Sequence, residues 1–166
     1  MLKENSPYDQ NDYYAEDGQA SRLAFVLNPL LWFLDWFKAW QIMRRHGRKG
    51  GRILDVGAGD GKFLASMKRA GMIPTGTSAS RISCEAALRC YGVSVLHTKE
   101  LPEKPTEGGF DLITYWHVFE HLDDPAAHTS NWSSILSDKG RLILEVPDPE
   151  SLGARICYRS WLGSDP

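Results

Sequence analysis

The chain has 166 residues, 42% hydrophobic and 24% charged, which fits one globular domain rather than a disordered or fibrous chain. Its 19 Lys and Arg against 21 Asp and Glu give a net charge of −2, which excludes a bulk electrostatic grip on nucleic acid. Three cysteines without a Cys-x-x-Cys spacing indicate neither a disulfide framework nor a zinc site, so no metal is expected and the setting reads as cytoplasmic.

Residues 1–20 are polar and acidic, without the basic start and apolar core of a secretory signal, and read as an arm. Residues 22–46 read as leading helix, with Asn28-Pro29 as cap and first turn, and Gly47 as its end. Trp32, Trp36 and Trp40 recur every four residues and share one face. Asp35 and Lys38 make this a poor membrane span. A lid packed on the rest of the fold is the preferred reading. The alternatives are a substrate-pocket wall or peripheral membrane contact through residues 29–45, with Arg44, Arg45, Arg48 and Lys49 meeting anionic lipid.

From Arg52 the pattern changes to short apolar runs alternating with amphipathic stretches. Strands are predicted over 52–56, 73–77, 93–97, 110–116 and 141–146, and helices over 61–70, 80–91, 125–136 and 150–158. Asp123-Asp124-Pro125 is predicted to cap the fourth-strand helix. The alternation implies a Rossmann-like, doubly wound α/β fold with a mostly parallel sheet and helices on both faces. Residues 1–51 are assigned to arm and cap helix, and 52–166 to the ligand-binding α/β domain.

Asp55 ends the first strand, and Gly57, Gly59 and Gly61 follow at alternate positions. Missing side chains let the backbone turn sharply and approach a ligand. The next helix points its free N–H groups at that ligand, favouring a carboxylate, while Asp55 suits an ammonium group. A dinucleotide loop would carry Gly-x-Gly-x-x-Gly, and here the third glycine comes one residue early.

This loop resembles that of class I S-adenosylmethionine-dependent methyltransferases. Residues 110–125, FDLITYWHVFEHLDDP, and 144–151, LEVPDPES, resemble the fourth- and fifth-strand motifs of a subgroup that includes quinone-biosynthesis and many bacterial methyltransferases. The resemblance implies S-adenosylmethionine as cofactor, held by Asp55, Gly57, Ala58, Gly59, Gly61, Trp116 and His117, with Glu100 near the adenine. It also implies seven strands, so the last two are expected to be missing here. The exposed sheet edge this leaves would be a route to self-association.

One position departs from the family. Its second strand ordinarily ends in an acid that binds both ribose hydroxyls, whereas here Ser78 stands there. For chemistry, His117 and His121 are the candidate bases and Glu120 a candidate orienting group, although Glu120 and His121 read better as fixing the loop after the fourth strand. His46, His97 and His128 read as ordinary surface or loop residues. The expected reaction is methyl transfer to a small-molecule or lipid-like acceptor. The alternative is a degenerate domain with weak or no cofactor binding.

Overall fold

The computed structural model describes residues 33, 36–99, 101–105, 108–148 and 150. The predicted arm, the Asn28-Pro29 helix start, Trp32, Glu100 and the helix expected over 150–158 lie outside the described residues, save Glu150 itself. Helix α1 covers residues 36–46. It is followed by β1 (Arg52–Val56), α2 (Lys62–Arg69), β2 (Ile73–Ser78), α3 (Arg81–Tyr91), β3 (Val95–His97) and β4 (Phe110–Trp116). A single 3-10 turn, Phe119–His121, leads to α4 (Pro125–Ile135) and β5 (Leu136–Glu145).

The five strands form one sheet in the order β3-β2-β1-β4-β5, and every pairing is parallel. Strand order reverses between β1 and β4. At such a switch point the loops leaving two adjacent strands diverge and open a crevice at the carboxyl end of the sheet. Register places Asp55 opposite Thr114 there, and Val56 opposite Tyr115.

Both faces of the sheet are covered, as a parallel sheet requires. On one face Ile53 and Leu112 pack with Phe63, Leu64 and Met67 of α2, Ala87 of α3, and Ala39 and Ile42 of α1. On the other, Leu54, Val56, Ile113 and Tyr115 pack with Ile135 at the end of α4. Asp124 caps α4 as predicted, accepting the Ala127 N–H at 2.9 Å, with Pro125 in the first turn.

Helix α1 packs on the sheet, as the lid reading expects, through Ala39 and Ile42, while Trp36 and Trp40 are each 42% exposed. The four-residue spacing put the two indoles on one face, and that face points outward. There Phe37 stacks on Trp40, and the Arg44 guanidinium lies 5.4 Å from the Trp40 ring. The fifth strand needs correction: β5 begins at Leu136 rather than Arg141. Leu136 pairs with Phe110, then the ladder resumes only at Arg141 opposite Leu112, so 137–140 bulge out opposite Asp111. Ser137 Oγ donates to Asp111 Oδ1 at 3.3 Å and holds the bulge. His46, His97 and His128 lie at or near the surface as expected, each with a partner: His46 with Arg141, His97 with the Ala79 carbonyl, and His128 with the Tyr115 hydroxyl.

Asp111 also ties the linker after α1 to the sheet, accepting from the Arg52 N–H at 2.8 Å and from Arg48 at 3.0 Å. Burial opposes the charge on Asp111, but these donors hold its carboxyl below its ordinary value. No helix among the described residues is long and apolar enough to cross a membrane.

Candidate functional site

The loop between β1 and α2 is shaped by its glycines. Gly57, Gly59 and Gly61 have φ of 74°, 53° and 78°, left-handed values that side chains disfavour. A Cβ on Gly57 would lie 2.3 Å from Val118 Cγ2, and one on Gly61 within 2.9 Å of Val93 and Ala87. A Cβ on Gly59 would meet nothing within 4 Å, so packing leaves that position open. The Ala58 N–H donates to Thr77 O at 2.8 Å and ties the loop to β2. A further glycine, Gly76, makes room for this: a Cβ there would come 2.8 Å from that of Ala58 and 2.7 Å from Leu64. Its position inside a strand was the sequence signal for a close approach.

The Lys62 N–H at the start of α2 donates to Asp60 Oδ1, and Lys62 Nζ pairs with Asp60 Oδ2 at 2.9 Å. The protein's own carboxylate therefore takes one of the amides expected for a ligand.

Asp55 is 1% exposed at the end of β1. Burial pushes its carboxyl up to about 7; the 2.6 Å hydrogen bond donated by Thr114 Oγ1 and the positive charge of Lys38 pull the other way. A buried carboxylate with so little compensation is suited to receive a cation.

Beside it, β4 and β5 deliver Trp116 and Glu145, paired in register. Trp116 packs edge-on against Phe63 of α2 at 5.2 Å, and its Nε1 is buried with no hydrogen-bond partner among the described residues. Lys38 reaches over from α1: its Nζ is 3.4 Å from the Trp116 ring centroid and 3.1 Å from Glu145 Oε1. His117 Nε2 lies 3.1 Å from the same oxygen, and its backbone N–H donates to Glu145 O at 2.9 Å. Its φ of 53° makes it the sole non-glycine residue with positive φ among those described, and this turns the imidazole toward β5. Its Nδ1 is 3.9 Å from Glu120 Oε1, beyond hydrogen-bond reach.

The predicted residues Asp55, Gly57, Ala58, Gly59, Gly61, Trp116 and His117 thus meet at the β1–β4 crevice. Ser78 ends β2 next to it, buried, with Oγ accepting the Ser80 N–H at 3.2 Å. His121 sits on the exposed side of the 3-10 turn. Sequence reasoning missed Lys38, Thr114 and Glu145. The described residues hold no cluster of three or more His, Cys, Asp or Glu able to bind a metal.

A 3-2-1-4-5 parallel sheet with an acid and three left-handed glycines at its switch point defines a class I methyltransferase fold. Residues 34–166 match the family described as methyltransferase domain, and the chain belongs to that family. It is 33% identical over 133 residues to the ubiquinone biosynthesis O-methyltransferase of Aromatoleum aromaticum, covering 72% of this chain and 51% of that one. It is 30% identical over 144 residues to the enzyme of the same name from Xanthomonas oryzae, covering 82% and 56%. The chain therefore spans about half the length of the curated relatives it matches. Among solved structures it is similar to a SAM-dependent methyltransferase of Thermotoga maritima, with TM-score 0.58 and 28% identity over 81% of this chain and 64% of that one. A TehB-like SAM-dependent methyltransferase of Corynebacterium glutamicum, with TM-score 0.55 and 21% identity over 66% and 60%, shares the fold.

Proposed function

We propose that this chain binds S-adenosylmethionine and transfers its methyl group to a hydroxyl of a small-molecule or lipid-like acceptor. The observation that carries the reading is Asp55, a buried carboxylate opening onto three left-handed glycines at the switch point. Those residues fit the cofactor: Asp55 faces its ammonium, bare Gly59 admits its close approach, and Ser78 takes a ribose hydroxyl. Glu100 would meet the adenine. The curated relatives, named as O-methyltransferases, support oxygen as the atom methylated.

The bound cofactor supplies an electrophilic methyl carbon on a good leaving group, so the protein's work is alignment, exclusion of water and removal of one proton. His117 is the base in this reading. A neutral imidazole donating from Nε2 to Glu145 presents Nδ1 to the acceptor hydroxyl. Glu120, 3.9 Å from Nδ1, stands where it stabilises the imidazolium that results. His121, one turn further on, is the second candidate.

Calorimetry with S-adenosylmethionine and S-adenosylhomocysteine tests the cofactor half, and heat from neither ligand would sink it. Radiolabelled methyl transfer to phenolic and amine acceptors tests the rest. Transfer to phenols that collapses in His117→Asn while cofactor affinity is kept is the expected result.

A further inference from the structure

Lys38 occupies an unusual position for a surface-helix lysine. Its ammonium is lodged between the Trp116 ring, 3.4 Å from the centroid, and the Glu145 carboxylate at 3.1 Å. The side chain is only 32% exposed, and its charge acts on buried Asp55. Trp116 itself is braced by Phe63, in the first turn after the glycine loop. An aromatic face and a carboxylate, both at the carboxyl end of the sheet and both on the face α1 covers, make a box for a cation. The chain fills that box with a cation of its own.

A sulfonium has no N–H to donate. It is recognised by charge and by an aromatic face, while a lysine ammonium is strongly hydrated and sits in such a box at a greater desolvation cost. We infer that Trp116 and Glu145 form the subsite for the cofactor sulfonium, and that Lys38 is a tethered competitor that must swing out when the cofactor enters. The inference rests on S-adenosylmethionine being the ligand. Two cations within a few ångströms at a half-buried site repel each other, so both cannot stay. The lysine stem is long enough to carry the ammonium away without moving α1. Lys38 thereby penalises the charged cofactor more than the neutral demethylated product, which has only to displace the ammonium and is not repelled by it.

The test is calorimetry on the full chain with three ligands that share adenosine and amino-acid parts. They are S-adenosylmethionine with its sulfonium, sinefungin with an ammonium in that place, and S-adenosylhomocysteine with a neutral sulfur. Any change that Lys38 variants cause at Asp55 acts on the shared part and cancels in affinity ratios. Lys38→Met and Lys38→Gln should raise the affinity of both cationic ligands relative to the neutral one about five- to tenfold. Lys38→Arg should leave the ratio within about twofold, because the charge is kept. In the Lys38→Met background, Glu145→Gln should bring the ratio back down. A ratio that stays flat or falls in both neutral variants, with all three ligands bound, overturns the competitor while sparing the cofactor reading. Absence of binding by every ligand to every variant overturns both.

Discussion

Thr114 Oγ1 donates a 2.6 Å hydrogen bond to Asp55 Oδ1 across the β1–β4 pair, at the point where strand order reverses. Both side chains are buried, and the carboxyl of Asp55 is nonetheless pushed up to about 7. Near neutral pH the group that should receive the cofactor's ammonium is therefore divided between its charged and neutral forms.

Binding should follow that division. Between pH 6 and 7 the ionised fraction of a group titrating at 7 rises about fivefold, while an α-amino group stays mostly protonated. The affinity for S-adenosylhomocysteine should rise by about the same factor, and binding at pH 6 should release close to one proton. Calorimetry in buffers of different ionisation enthalpy measures the release directly. Thr114→Val removes the donor that favours the charged form, so it should weaken binding at pH 7 more than at pH 8.5.

The same shift governs stability. The folded state keeps the Asp55 proton to about 7, whereas the ordinary value is 3.8. Between those values the native state holds more protons than the unfolded one, so the contribution of Asp55 falls as pH rises and levels off above 7. Asp55→Asn keeps an acceptor for Thr114 and has no charge to bury. It should equal the parent near pH 4 and exceed it at pH 8 by about 1–4 kcal/mol, while abolishing cofactor binding. Urea unfolding at the two pH values decides this, and equal stability at pH 8 would count against the burial argument.

Two glycines of the loop should behave differently. Gly57→Ala combines a left-handed backbone with a Cβ 2.3 Å from Val118, and should cost about 2–4 kcal/mol along with binding. Gly59→Ala meets open space, so its stability cost should be about 1–2 kcal/mol from the backbone alone. Its binding loss should still be severe in the proposed reading, because the methyl would stand on the glycine loop that the cofactor must approach closely. Thermal melts beside calorimetry separate the two effects.

Ser78 is buried at the end of β2, and its Oγ accepts the Ser80 N–H. A carboxylate there could accept the same N–H and add charge-assisted bonds to the ribose. Ser78→Asp should tighten S-adenosylhomocysteine binding by about one to two decades, roughly 1–3 kcal/mol. No gain on titration would mean that another group already serves the ribose.

What the sequence determined by itself is the local part of this protein. The strand–helix alternation, Asp55, the glycine loop and the cap at Asp124 were all legible, because each is encoded within a few neighbouring residues by period, by missing side chains or by a capping oxygen. The outward turn of Trp36 and Trp40 was not, since periodicity shows which residues share a face and not which way the face looks. Nor was the box around Trp116. Lys38 and Glu145 stand 107 residues apart, and Asp55 and Thr114 stand 59 apart. They meet only because parallel crossovers bring β1, β4 and β5 side by side and lay α1 on one face of the sheet, with Lys38 at the carboxyl ends of β4 and β5. Thr114, Glu145 and Lys38 carry no motif of their own, and burial and a shared sheet face, which tertiary structure alone decides, make them part of the site.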